Sequence, residues 1–566
     1  MNRYGTFISR VLWLNLCLVL SIDAQVEIQS PYILNPEANI GFVDSCANFW
    51  LSAYDDEYGG FFTNVSEDGT PINSEKFLLT QTRDAYAMAR GFQMTGDTTY
   101  LGYGRATLNF MYDTYWDEVN DGWDDRQAGK GSFTQHYAMI GIAAMWEASA
   151  RSIDYEYLMR GYQSLDDHLW DSRIDYPGYY DQANEDWTNP HDKGFTPTVD
   201  GITTNVLPLY LLTQEVIHHS RLLQLADLIA EHLVPTMDHY DYGFAESFDS
   251  DWVERDYDSF YFTGHILKSA WCLARAYLVE PKPEYLEAAT RILDDVIVRS
   301  DNYDYGEWWE WEQAFTAGMM VFYITGNETY LTFADEYIDY FMDTSVDYVY
   351  GDVYRNPSSG TNKGDYYKAG YHSTELGYYM YLYSNLYYYK NPASLYYYFE
   401  PIDSARQVSL YPIAIEDSVL NITNVTLDGE AFFDFDPDSR TLNIAEGVGG
   451  IFYVTFESMG RFAEIEQQSN SVNPSSYSLF QNYPNPFNPT TRIQYTLPEE
   501  SEVTVIIYNI VGRVVRELAN TSQPAGWYDY QWHGEDQNGL PVGTGVYFCR
   551  IQAGDYSKTI KMVYLR

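Results

Sequence analysis

Tyr58-Gly59-Gly60-Phe61 is the first of six short loops in which glycine sits beside tyrosine or an acid and is followed by an aromatic or acidic residue. The pattern returns as Asp121-Gly122-Trp123, Tyr176-Pro177-Gly178-Tyr179, Tyr242-Gly243-Phe244, Tyr305-Gly306-Glu307-Trp308 and Tyr350-Gly351-Asp352. Counted between glycines 59, 122, 178, 243, 306 and 351, the steps are 63, 56, 65, 63 and 45 residues. A step of that size holds two helices of about 12 to 15 residues with their connections.

The intervening stretches read as helices. Ala314–Tyr323, Ile266–Tyr277 and Leu222–Leu233 place apolar residues at helical spacing. Thr95-Gly96-Asp97 before Tyr100-Leu101, and Thr325-Gly326-Asn327 before Tyr330-Leu331, repeat one helix start, with Asp or Asn in the capping position. Six such pairs form either an open solenoid, with the loops spread along an edge, or a closed double ring that gathers them at one mouth. The expectation is the closed form: a mainly α chain with an (α/α)6 toroid at residues 25–400. Two small all-β domains follow it, a β-sandwich at 401–460 with strands such as Val419–Leu427, Thr441–Ile444 and Ile451–Phe456, and an Ig-like domain at 477–566. A polar linker at 461–476 separates the two.

Composition bounds the function. Aromatic residues make up 17%, with 56 Tyr and 14 Trp, which suits helix packing and also surfaces that stack on sugars. A net charge of −48, from 33 basic and 81 acidic residues, opposes nucleic acid, anionic membranes and strongly anionic polymers as partners. Met1–Ala24 has the form of a signal peptide at residues 1–24: Arg3 and Arg10 are basic, Val11–Leu20 is apolar, and Ala24 precedes Gln25. That apolar run is too short to span a bilayer comfortably, and no later segment reads as transmembrane. Cys46, Cys272 and Cys549 are too scattered for a disulfide framework or a metal motif.

Four segments carry candidate chemistry. Gln81-Thr82-Arg83-Asp84-Ala85 offers Arg83 as a fixed cation for a sugar oxygen. Gly264-His265-Ile266-Leu267-Lys268 places His265 and Lys268 on one helix face. Glu307-Trp308-Trp309-Glu310-Trp311-Glu312 reads as a carbohydrate platform, with Trp308, Trp309 and Trp311 stacking and Glu310 and Glu312 bonding hydroxyls, or as helix-packing rings with solvated acids between them. Lys363-Gly364-Asp365-Tyr366-Tyr367-Lys368-Ala369-Gly370-Tyr371-His372 brings Lys368, Tyr371 and His372 to the start of the last ring helix. Asp55, Asp56, Asp124, Asp125, Glu310 and Glu312 are the carboxylates from which a hydrolase pair would be drawn.

In this order the segments resemble the N-acylglucosamine 2-epimerase and cellobiose 2-epimerase family, a six-hairpin toroid, over about Phe49 to Tyr388. The resemblance implies a sugar isomerase or 2-epimerase in which His265 and His372 are the acid–base pair and Arg83 lies near the sugar carbonyl, with no metal or organic cofactor. Trp308, Trp309, Trp311, Glu310, Glu312, Lys268, Tyr371 and Lys368 are the expected substrate contacts. This chain has Lys268 and Gln313 where that family has Glu, and Glu375 near its Arg position. Lys268 is expected to depress the His265 pKa. The alternatives on the same toroid are a glycoside hydrolase, a polysaccharide lyase or a non-catalytic glycan-binding protein.

The other end resembles a sorting domain of the bacterial type IX secretion system. Phe480-Gln481-Asn482-Tyr483-Pro484-Asn485-Pro486-Phe487-Asn488-Pro489-Thr490-Thr491, Gly543-Thr544-Gly545-Val546-Tyr547 and Lys561-Met562-Val563-Tyr564-Leu565 carry that resemblance. It implies the type IX machinery as a partner and a secreted or surface-attached product.

Overall fold

The computed structural model describes residues 28–126, 129–255, 262–300, 306–356, 363–416, 420–458, 477–479, 482, 491–537, 539–554 and 556–564. The expected signal peptide, the linker and most of the Phe480–Thr491 motif lie outside them. The chain divides into two compact units, Met1–Met459 and Gly460–Arg566.

The first unit is a double ring of helices. Outer helices α1 (Ala38–Leu51), α3 (Thr98–Tyr115), α5 (Ser152–Leu169), α7 (Val216–Leu228), α9 (Pro283–Val298) and α11 (Glu328–Thr344) alternate with inner ones. The inner ring is α2 (Leu78–Thr95), α4 (Ser132–Ser149), α6 (Leu207–Thr213), α8 (Thr263–Val279), α10 (Trp308–Thr325) and α12 (Tyr371–Tyr383). Two π-helical turns, Thr196–Asp200 and Ile202–Val206, lead into α6.

Sequence decides which ring a helix joins. In α9 the buried residues are Tyr285, Ala288, Ala289, Ile292, Leu293 and Val296, a single stripe at i, i+3, i+4, i+7 and i+8 spacing, so one face meets water. Every residue of α12 from Tyr371 to Tyr383 is buried, as an inner helix requires. Gly141 lets α4 press on α2, because a Cβ there would lie 2.1 Å from the Thr82 carbonyl oxygen.

Short turns run from inner to outer helices at one end of the ring. Gly96 and Gly326 close α2 and α10 in the left-handed region, at φ 76° and 68°. Asp97 and Asn327 then cap α3 and α11, accepting from the amides of Thr99 and Thr329 at 2.8 and 3.1 Å, as their sequence positions indicate.

The six glycine loops all run from an outer to an inner helix, at the opposite end. Among the described residues, four of them share a latch. Lys76 donates to Asp55 at 2.6 Å and to the Gly59 carbonyl at 2.7 Å; Lys130 donates to Asp117 at 3.0 Å and to the Asp121 carbonyl at 2.5 Å. Lys193 holds Asp171 at 2.8 Å and the Tyr176 carbonyl, and Lys363 holds Asp347 at 2.5 Å and the Gly351 carbonyl at 2.6 Å. Each ammonium also lies over a ring from a neighbouring unit. Lys76 faces Phe110, Lys130 faces Trp187, Lys193 faces Trp252, and Lys363 faces Phe49 of α1, which closes the circle. The loop glycines are small because those rings press on them: a Cβ at Gly60 would meet Phe110 at 2.6 Å, and one at Gly122 would meet Trp187 at 2.5 Å.

The far end of the ring is covered by β-structure. Strands β1 (Ala393–Phe399), β2 (Arg406–Ser409), β3 (Leu420–Leu427), β4 (Glu430–Ala431), β5 (Phe435–Asp436), β6 (Thr441–Ile444) and β7 (Gly450–Ser458) form sheets ordered β1-β7-β3-β4 and β2-β6-β5. The first strand begins at Ala393, inside the span assigned to the toroid by sequence, because the tyrosine run after α12 changes from helical to alternating burial there. Ile413 to Glu416 are buried beneath the inner helices. Arg275 of α8 binds Glu416 at 2.5 Å and the Ile413 carbonyl at 2.7 Å, and Tyr383 reaches the Ala414 carbonyl at 3.3 Å.

In the second unit, β8 (Ser478–Leu479), β9 (Thr491–Leu497) and β12 (Gly526–Trp532) form one antiparallel sheet. Strands β10 (Ser501–Asn509), β11 (Val514–Gln523), β13 (Gly545–Ala553) and β14 (Tyr556–Tyr564) form another, ordered β11-β10-β13-β14. Val503, Val505 and Ile507 alternate inward with Cys549, Ile551, Met562 and Trp532.

The latch has measurable consequences. The Lys363 side chain is 0% exposed and that of Asp347 is 3%, so Lys363→Met strands a buried carboxylate. The expected loss is about 3 kcal/mol or more in urea unfolding, and Lys363→Met with Asp347→Asn loses less than the single change. Burial opposes ionisation of Asp347, yet Lys363 and the amides of Val349 and Tyr350 hold its pKa below the usual value. A depressed folded pKa gives stability that is complete above about pH 4 and lost as pH falls through the lower folded value. The urea midpoint is therefore expected to fall more steeply with acidification in the native chain than in the double variant.

Candidate active site at the loop face of the ring

The inner helices begin at the loop face, so their first turns supply the side chains that meet there. His265 lies on the first turn of α8. Its Nδ1 is 3.0 Å from Glu246 Oε2, its ring stacks on Phe195 at 3.9 Å, and Trp309 is 5.2 Å away. His372 is the second residue of α12. Its Nδ1 is 2.7 Å from Glu312 Oε2, and its ring is 6.1 Å from Trp309 and 6.0 Å from Trp308. One indole thus touches both imidazoles. Gly264 makes room for it, since a Cβ there would meet Trp309 at 2.2 Å.

The cations are arranged around His372. The Arg83 guanidinium lies 4.7 Å from the Tyr137 ring and 5.8 Å from the Tyr371 ring, and it donates to the Tyr367 carbonyl. Lys268 is buried, 2.6 Å from Asp200 Oδ1 and 3.3 Å from the Tyr137 hydroxyl. Burial disfavours the Lys268 charge, but Asp200 and Tyr137 outweigh it and raise the pKa. Burial, then Arg83, Lys268 and Lys368, push the His372 pKa well below the usual histidine value. The expected influence of Lys268 therefore falls on this second histidine. Burial and the neighbouring Glu375 raise the Glu312 carboxyl.

Other expected contacts lie elsewhere. Trp311, two residues beyond Trp309, is turned to the far side of α10 and packs on Tyr337, Tyr340 and Phe341 of α11. Glu310 caps α10: its oxygens accept from the amides of Gly264 at 3.2 Å, Gly306 at 2.8 Å and Glu307 at 2.9 Å. Lys368 is fully buried on Asp352 at 2.8 Å, between the rings of Trp50 and Trp308, and so braces the site from behind. Tyr371 is buried edge-on to Tyr86. Among the acids considered for hydrolysis, Asp55 is held in its latch and Asp125 accepts from Thr134 and Tyr366 at 3.0 and 3.1 Å.

Sequence reasoning missed Glu246, Asp200 and Tyr137. Glu246 had a signal, an acid three residues after the fourth loop glycine, but Asp200 and Tyr137 enter from other units of the ring.

Residues 60–372 match the N-acylglucosamine 2-epimerase (GlcNAc 2-epimerase) family, and residues 487–557 match the FlgD Ig-like domain. No curated protein matches the chain. The cellobiose 2-epimerase of Spirochaeta thermophila DSM 6192 superposes with a TM-score of 0.56 at 19% identity, over 63% of this chain and 98% of that one. A D-mannose isomerase gives 0.56 at 16% identity over 62% and 99%. The cellobiose 2-epimerase of Bacillus thermoamylovorans B4167 gives 0.55 at 15% over 63% and 100%. These likenesses show the six-hairpin toroid. With the matched stretch covering more than half its length, the chain belongs to the N-acylglucosamine 2-epimerase family.

Proposed function

We propose that this chain is a sugar isomerase or 2-epimerase acting on a reducing mono- or oligosaccharide. The observation that carries the reading is the pair of imidazoles, each tied to a carboxylate through Nδ1, in contact with one indole. Anchoring through Nδ1 leaves each Nε2 for substrate, and the indole is a face on which a sugar ring can rest. His372, kept neutral, takes the C2 proton; the C2–H electron pair moves into the C1–C2 bond and the carbonyl electrons move onto oxygen. Arg83 stabilises that oxygen in the enediolate. His265 assists ring opening and returns a proton. Return to C2 on the opposite face gives the epimer, and return to C1 gives the ketose. Family membership and the fold support this assignment. The signal-like Met1–Ala24 and the sorting-like carboxyl terminus support a secreted or surface-attached enzyme.

Two outcomes are expected. In heavy water, cellobiose, mannobiose, mannose or N-acetylmannosamine acquires deuterium at C2, and His265→Asn or His372→Asn each slows this by about 10²–10⁴-fold. Absence of exchange with all four sugars rejects the reading. Gly264→Ala displaces the Trp309 indole, so KM rises more than kcat falls and tryptophan emission shifts; unchanged KM would remove Trp309 from the sugar site.

A further inference from the structure

The sixth loop departs from the first two at one backbone position. In those loops the amides of the latch aspartates Asp55 and Asp117 donate to the carbonyls of Gly60 and Gly122, each at 2.9 Å. In the sixth loop the Asp347 amide donates, also at 2.9 Å, to the carbonyl of Asp352. All three receiving residues lie in the left-handed region, at φ 76°, 83° and 56°. Glycine takes that conformation freely, whereas a residue with a side chain is uncommon there. The turn calls for glycine, so the carboxylate of Asp352 is kept for another reason.

That carboxylate is 0% exposed and has three donors. Its Oδ1 accepts from the Ser373 hydroxyl at 2.5 Å, and its Oδ2 accepts from Lys368 at 2.8 Å and from Trp50 Nε1 at 3.2 Å. Lys368 precedes His372 by four residues and Ser373 follows it directly, so one side chain grips the chain on both sides of the histidine. Trp50 belongs to α1, at the opposite side of the seam where the ring closes. Contacts with α2 complete the cradle. The Gly370 amide donates to Asp84 Oδ1 at 2.8 Å, and a Cβ on Gly370 would lie 2.8 Å from both Ala87 and Trp50. Replacing a buried ion pair by apolar side chains is often neutral for stability. The fold alone therefore does not call for a charge here, whereas a directional grip on His372 does.

We propose that Asp352 is a positioning residue for His372, and that through Trp50 it ties the placement of this histidine to closure of the ring. Its consequence for turnover rests on the epimerase reading. His372 Nδ1 meets Glu312 of α10 at 2.7 Å, a contact kept only while the start of α12 holds its register against α10. Displacing a proton-transferring group by about 1 Å costs about a hundredfold in rate.

The test pairs kinetics with a spectroscopic signature, using the full chain. Asp352→Asn keeps the side-chain volume, suits the left-handed turn and removes the charge. Ser373→Ala leaves the ion pair intact and serves where Asp352→Asn fails to fold. In both, kcat for C2 exchange is expected to fall about 10–100-fold while KM stays within about twofold. The imidazole nitrogen resonances of His372, assigned by their loss in His372→Asn, are expected to shift. Arg151→Met is the control: it strands the buried Asp154 on an outer helix, lowering stability while kcat and the His372 resonances stay as they are. Unchanged kcat and resonances in both variants, a rise in KM with kcat kept, or the same losses in Arg151→Met overturns the assignment. A native chain that exchanges no C2 hydrogen rejects the epimerase reading, and the His372 resonances then decide the positioning role by themselves.

Discussion

An ammonium held between a carboxylate and a loop carbonyl, under an aromatic ring from a neighbouring unit, is the interaction on which the toroid depends. It recurs at Lys76, Lys130, Lys193 and Lys363. Each copy fixes a loop internally through the Asp and fastens it to a neighbour through the ring. At the seam the last unit leans on the first: Lys363 lies over Phe49, and Trp50 donates to Asp352 at 3.2 Å. The same stapling sets the register of the inner helices. Gln81 pairs with both backbone groups of Phe61, and Gln135 does the same to Trp123. The first turns that carry Arg83 and Tyr137 are thereby fixed relative to their loops.

The loops were legible in the sequence because glycine and an aromatic stay adjacent whatever the loop length. The lysines were not. They follow their aspartates by 21, 13, 22 and 16 residues (55 to 76, 117 to 130, 171 to 193, 347 to 363), so no fixed spacing marks them. In the site, the two histidines and Trp309 could be read from ordered local motifs. Their partners could not, since pairing there is made across the ring: Lys268 meets Asp200 at a separation of 68 residues and Tyr137 at 131. The Trp-Trp-Glu-Trp-Glu segment shows the limit of composition. Side chains one residue apart serve different masters, with Trp309 on the histidines, Glu310 on backbone amides and Trp311 on the outer ring.

The charges of this site are matched from within the chain. Lys268 stands where acid is usual in the family, and it is matched by Asp200; Glu375 stands near a usual arginine, beside Glu312 and His372. Lys268 is thus matched locally, while burial and Glu375 raise the Glu312 carboxyl and burial with the surrounding cations keeps His372 neutral.

The buried segment Ile413–Glu416, bound by Arg275 and Tyr383, packs beneath the inner helices at the end of the ring opposite the loops. On the proposed reading, a sugar reaches His265 and His372 from the loop face, where the first turns of α8 and α12 carry them. On that reading a glycan would present a terminus to the histidines, with the remainder of its chain trailing outward.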